Sequence, residues 1–139
     1  MDENALGMIE LELAILLRRT TSVTKLWNLD RSAYLLLRRI ATKGAVGVKV
    51  LAGEFQLDSS TVSRQAAALE QKGYLYKIPD PVDGRAYTFQ ITEQGTKELT
   101  NHMQERLERI SELLKGWPEE ECQVFGRLLR KFNHSFIQD

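Results

Sequence analysis

After Gly73 the apolar period of the chain drops from three or four residues to two. Tyr74, Tyr76 and Ile78 alternate with Leu75 and Lys77, and past Asp80-Pro81-Val82-Asp83-Gly84 the alternation resumes at Tyr87, Phe89 and Ile91. Alternation sends successive side chains to opposite faces of a strand. Proline fixes φ and Asp-Gly suits a tight reversal, so the two strands form a hairpin. On both sides of it the spacing is helical. This switch predicts an α+β chain, mostly α, in which one β-hairpin follows a run of helices.

The helices can be placed from their stripes and stops. Residues 5–27 carry apolar or near-apolar groups at 6, 9, 13, 16, 20, 23 and 27, which predicts one long helix of roughly 33 Å. Asp30 is placed to cap a second helix, with Leu29 stapled onto Tyr34 and an inner face of Ala33, Leu36, Leu37 and Ile40. Lys43-Gly44 stops it. Gly47 precedes a short helix, Val48–Phe55, and Leu57-Asp58 turns the chain into a helix over 59–72 that ends at Lys72-Gly73. Thr92 caps a long helix over 93–117, striped by Leu99, Met103, Leu107, Ile110, Leu114 and Trp117. Pro118 suits the first position of a last helix, 118–137, with Glu119, Glu120 and Glu121 at its positive end. Its stripe is Cys122, Phe125, Leu129, Phe132 and Phe136.

Two short helices joined by a tight turn and followed by a hairpin make a winged helix-turn-helix. The second helix must bury one face and offer the other, free of bulky apolar groups, to the major groove. In 59–72, Val62, Ala66 and Leu69 point one way, and Ser60, Arg64, Ala67, Ala68 and Gln71 the other, flanked by Thr61 and Ser63. Arg64 can donate a bidentate pair to guanine, and the two alanines admit close approach and can touch thymine methyls. Ser59, Ser60 and Thr61 at the helix start suit phosphate oxygens. A polar helix face of this kind is also what an ordinary solvated helix shows; the adjacent turn and hairpin favour DNA.

Charge agrees only when it is mapped. The formal net charge is zero, yet residues 30–92 hold nine Lys/Arg against six Asp/Glu, leaving acidic flanks. Lys49 and Lys77 lie within this basic stretch as phosphate contacts, although a solvated surface explains either equally well.

Asp83-Gly84-Arg85, followed by Ile91-Thr92 and Gly95, resembles the wing signature of the MarR (multiple antibiotic resistance regulator) family. Leu57-Asp58-Ser59-Ser60-Thr61-Val62-Ser63-Arg64, with Leu69-Glu70 and Gly73-Tyr74-Leu75, resembles that family's recognition helix and its exit. The resemblance spans nearly the whole chain. It implies a single domain over 1–139, with dimerisation helices at 5–28 and 93–137 around a DNA-binding lobe at 30–92. It also implies that Arg85 enters the minor groove and that Asp83 holds it by an ion pair. Narrow A·T-rich grooves concentrate the negative potential that an arginine seeks. A solvated turn pair is the plainer alternative for these two residues.

The terminal stripes are longer than a lobe of this size needs for its own core, and left in water they would form a large apolar patch. The expectation is a homodimer on a pseudo-palindromic operator in double-stranded DNA, with a monomeric helical bundle as the alternative. The family resemblance further implies a small lipophilic or phenolic effector, for which Trp27, Tyr34 and Met103 are candidate pocket residues; core packing accounts for them as well. The function expected is that of a ligand-responsive transcriptional repressor. The rival is a winged-helix module that binds another protein.

Other chemistry is weakly represented. His102 and His134 are isolated, without metal-ligand spacing to other donors, and belong on a helix surface or interface. Cys122, the single cysteine, lies on an apolar stripe and is expected buried rather than redox-active. No phosphate loop, nucleophile motif or paired carboxylates stand out, so neither an enzyme nor a cofactor or metal is expected. The chain has no apolar run of the roughly 20 residues that a membrane span requires, and no basic signal-peptide start. The cytoplasm is the expected location.

Overall fold

In a computed structural model, residues 1–23 and 31–137 are described. The element order is α1 (Glu3–Val23), α2 (Arg31–Lys43), α3 (Val48–Phe55), α4 (Ser59–Gln71), β1 (Leu75–Pro79), β2 (Tyr87–Ile91), α5 (Glu93–Leu113) and α6 (Glu119–His134), closed by a 3₁₀ turn over Ser135–Ile137. The cap at Asp30, the staple from Leu29 and the end of the first predicted helix lie outside the described residues. The chain forms two compact units, Met1–His102 and Met103–Asp139. Among the described residues no helix is long and apolar enough to cross a membrane.

The core of the first unit is built from every element between α2 and the start of α5. Leu36, Leu37 and Ile40 of α2, Leu51 of α3, and Val62, Ala66 and Leu69 of α4 are buried with Leu75, Phe89 and Leu99. Tyr34 is buried as well, while Ala33 is only half-buried, so the inner face of α2 is turned slightly from the one predicted. β1 and β2 pair antiparallel with Leu75 opposite Ile91 and Pro79 opposite Tyr87. On β1 only Leu75 is buried; Tyr76 and Ile78 stay exposed, as they can on a two-stranded ribbon whose outer face has no cover.

One pairing has no signature in the periodicity. Val46 makes a β-bridge to Phe89, donating its N–H to Phe89 O at 3.2 Å and accepting the Phe89 N–H at 2.8 Å. The link between α2 and α3 is therefore tied to the inner strand of the hairpin.

His102 is expected on a helix surface or at an interface, and it is not on the surface. It is 3% exposed, with its ring centroid 5.1 Å from that of Tyr34. The register of α5 explains this: His102 is three residues after the buried Leu99 and so shares its face.

The second unit corrects two helix boundaries. The helix predicted over 93–117 ends at Leu113, because Gly116 adopts φ +89° and the Trp117 N–H turns back to Leu114 O at 3.0 Å. Lys115-Gly116 is the same lysine-glycine stop that ends α2. Pro118 precedes α6 as its cap, with ψ 147°, and its carbonyl accepts the Cys122 N–H at 3.2 Å. The Trp117 ring packs against Phe125 at 5.6 Å. Cys122 is half-buried rather than fully buried, His134 is exposed, and no residue of α6 is buried within the single chain.

Candidate nucleic-acid interface

The turn between α3 and α4 is built by Gln56, Leu57 and Asp58. Gln56 takes the left-handed conformation, φ 54°, and its N–H reaches Gly53 O while that of Leu57 reaches Ala52 O at 3.0 Å. These paired bonds satisfy carbonyls left open at the end of α3. Asp58 then caps α4: its Oδ1 accepts the Thr61 N–H at 3.1 Å and its Oδ2 accepts the Ser60 hydroxyl at 3.1 Å. Those bonds, led by the one from Thr61, hold the Asp58 carboxyl below its ordinary pKa. Sequence reasoning placed Asp58 in a turn and missed the cap. Its signal was an aspartate immediately before the first helical residue.

Helix α4 presents its two faces as predicted. Val62, Ala66 and Leu69 are buried, whereas Ser59, Ser60, Arg64, Ala67, Ala68 and Gln71 are exposed and Thr61 and Ser63 are half-buried. Arg64 lies along the helix with Nη2 3.5 Å from Thr61 Oγ1. Ser59 and Ser63 share an open cleft of about 460 Å³ with Lys49 at the start of α3 and with Asp80, Tyr87 and Thr88 of the hairpin. The starts of both helices and the base of the wing thus line one surface.

The wing turn is organised by two carboxylates. Asp80 Oδ1 accepts the Val82 N–H at 2.9 Å, and Asp83 Oδ1 accepts the backbone N–H of Arg85 at 3.0 Å. The expected link between Asp83 and Arg85 therefore runs through the backbone instead of a guanidinium ion pair. With both carboxylates engaged in turn geometry, the exposed Arg85 side chain projects from a defined loop. Lys77, expected at phosphate, is turned toward its own fold. Its Nζ sits 3.8 Å from Glu70 and 4.6 Å from the centroid of the Tyr87 ring.

Wing and helix are joined at a tight crossing. Gly73, at φ +84°, ends α4, and its carbonyl accepts the Thr92 hydroxyl at 2.6 Å. Thr92 Oγ1 in turn accepts the Gly95 N–H at 2.9 Å. A Cβ at Gly95 would stand 2.3 Å from Tyr74 O, closer than any side chain allows. The Ile-Thr-x-x-Gly spacing thus reflects a backbone crossing that locks α5 beneath the exit of α4.

Of the proposed effector residues, Tyr34 packs in the first unit against His102 and accepts a hydrogen bond from Arg38 Nη1 at 3.3 Å. Met103 is half-buried in the second unit, and Trp27 lies outside the described residues. Among the described residues no cluster of His, Cys, Asp and Glu is arranged to hold a metal.

A helix pair with a left-handed turn, an outward polar recognition face and an adjoining hairpin defines a winged helix-turn-helix of the transcription-regulator class. The model of the MarR family matches residues 29–87. Over 98% of both chains, the sequence is 45% identical to the uncharacterized HTH-type transcriptional regulator YxaD of Bacillus subtilis (strain 168). The chain belongs to the MarR family of transcriptional regulators. Solved structures share the fold at lower identity. A MarR family protein from Bacillus stearothermophilus matches with TM-score 0.78 at 20% identity over 99% of each chain. The PcaV regulator of Streptomyces coelicolor in complex with its natural ligand matches at 0.69 and 21%, over 86% of this chain and 89% of that one. A mutant MarR from E. coli complexed with operator DNA matches at 0.72 and 17%, over 95% and 99%.

Proposed function

We propose that this regulator acts as a homodimeric repressor that occupies a pseudo-palindromic operator. The observation that carries the reading is the exposed face of α4, where Ser60, Arg64, Ala67 and Ala68 stand opposite the buried Val62, Ala66 and Leu69, beside a wing that bears Arg85. In this reading Arg64 pairs with a guanine edge in the major groove, and the alanines let the helix seat deeply. Ser59, Ser63 and Lys49 meet phosphates, with Ser60 and Thr61 at the same helix start. Arg85 reaches into the flanking minor groove from the turn that Asp83 organises.

Dimerisation rests on exposed apolar side chains at helical spacing: Leu6, Ile9 and Leu16 on α1, Leu107 and Ile110 on α5, and Phe125, Leu129 and Phe132 on α6. A second copy covers them and sets two recognition helices about one DNA turn apart. A small lipophilic anion releases the operator by favouring a dimer with a different spacing. A bound ligand in the related PcaV supports that part of the reading.

The test is selection of bound duplexes from a random-sequence pool by the purified protein. Enrichment of an inverted repeat with half-sites about one helical turn apart supports the reading. A protein that enriches no sequence, and is instead retained only by another protein, is an interaction module.

A further inference from the structure

Helix α3 is short, eight residues, and buries only Leu51 and Ala52. Leu51 and Ala52 seat the helix on the core, while Glu54, near its trailing end, stays exposed. Its leading end is fixed to the hairpin, because the residue before its Gly47 cap is Val46, bridged to Phe89. Its trailing end is held differently. Arg39 of α2 donates through Nε to Glu54 Oε2 at 2.5 Å and through Nη2 to Glu54 Oε1 at 2.9 Å. A two-point planar pair fixes direction as well as distance. The Arg39 side chain is 14% exposed, so the pair is partly withdrawn from water on one side. Glu54 stands two residues before the left-handed Gln56 and four before Asp58, the cap of α4.

We propose that Arg39 and Glu54 are positioning residues for operator recognition: their forked pair anchors the end of α3 to α2 and thereby sets the turn from which α4 enters the major groove. Neither residue need touch DNA. Arg39 would otherwise be counted among the basic residues of the lobe as a phosphate contact, and the two roles predict opposite results. For a phosphate-binding Arg39, removing the Glu54 charge frees the guanidinium and tightens binding to any duplex. For a positioning pair, Glu54→Gln weakens specific binding as Arg39→Gln does.

The inference rests on α4 being the reading helix, and the experiment separates the two. Affinity is measured for wild type, Glu54→Gln, Arg39→Gln and the double variant, on a duplex enriched by the wild-type protein and on an unrelated duplex, across a salt series. The expected result is about a tenfold loss on the enriched duplex for each single variant. The double variant is no worse than either single one, since both remove the same contact. Binding to the unrelated duplex and the slope against salt stay as in wild type, because no phosphate contact is lost. A role confined to stability would lower the melting temperature and leave the ratio of the two affinities unchanged, which overturns the proposal. Arg39→Lys, which keeps the charge and loses the fork, is measured alongside; a selectivity equal to that of wild type in this folded variant also overturns it. Tighter binding by Glu54→Gln overturns it in favour of a phosphate contact. If the wild-type protein enriches no duplex, the reading of α4 fails and the proposal with it; if it does and all variants match it, the pair alone fails.

Discussion

Arg64 is exposed on the outward face of α4, near Thr61 but in no ion pair among the described residues. Arg64→Ala is therefore expected to cost about 1–3 kcal/mol on the enriched operator and to relax discrimination at one base position. Binding to operator variants substituted base by base checks this, and a uniform loss at every position contradicts it. Gly95 is constrained by backbone instead. Gly95→Ala brings a methyl to 2.3 Å from Tyr74 O and 2.9 Å from Ile91 Cγ1, in a crossing formed by two backbone segments. A loss of about 1–3 kcal/mol follows, read as a lower denaturant midpoint; an unchanged midpoint contradicts the crossing. The side chains that face outward on α4 were legible in the sequence, because Val62, Ala66 and Leu69 fix which way the helix is turned. The contacts of charged groups were not. Arg39 and Glu54 are fifteen positions apart on different helices, and nothing in their spacing pairs them. Lys77 and Glu70 meet across the exit of α4 for a similar reason.

Between elements, two helix ends were legible from local stops. Lys43-Gly44 and Lys72-Gly73 end their helices at positive-φ glycines. Lys115-Gly116 does the same, yet the apolar stripe continuing to Trp117 outweighed it in the sequence reading. The bridge from Val46 to Phe89 was illegible, since a single paired residue has no period. The cap of α4 has a testable pH signature. The folded-state pKa of Asp58 is lowered by bonds from Thr61 and Ser60, and that of Glu54 by its bonds from Arg39. A lowered folded pKa gives stability that is complete above the ordinary carboxylate range and is lost as pH falls through the depressed value. Melting temperature should thus fall on acidification from about pH 6 to about pH 3. Asp58→Asn, which keeps an acceptor for the Thr61 N–H but loses the charge and the bond from Ser60, should melt lower than wild type at neutral pH and fall less steeply on acidification. An identical slope in both proteins would show that the Asp58 charge contributes nothing to the helix start.

At the level of the molecule, the zero net charge that speaks against DNA at first sight conceals a basic lobe between acidic flanks. The same division separates labour: the lobe has its own buried core, whereas α6 has none within one chain. Leu107→Glu combined with Ile110→Glu is expected to shift the mass in solution at micromolar concentration from two chains to one and to weaken operator binding, with helical content retained. An unchanged mass contradicts the assignment of these stripes to a second copy. The most direct test of operator recognition by this winged helix is the salt dependence of binding to the enriched duplex. With Lys49, Arg64 and Arg85 of both paired lobes seated against the DNA, the counterions released by about six cations are expected to lower affinity by about a thousandfold between about 50 and 200 mM salt, linearly in log-log form. An affinity that stays flat across that range would mean that no phosphates are engaged, and that the wing and α4 serve some partner other than DNA.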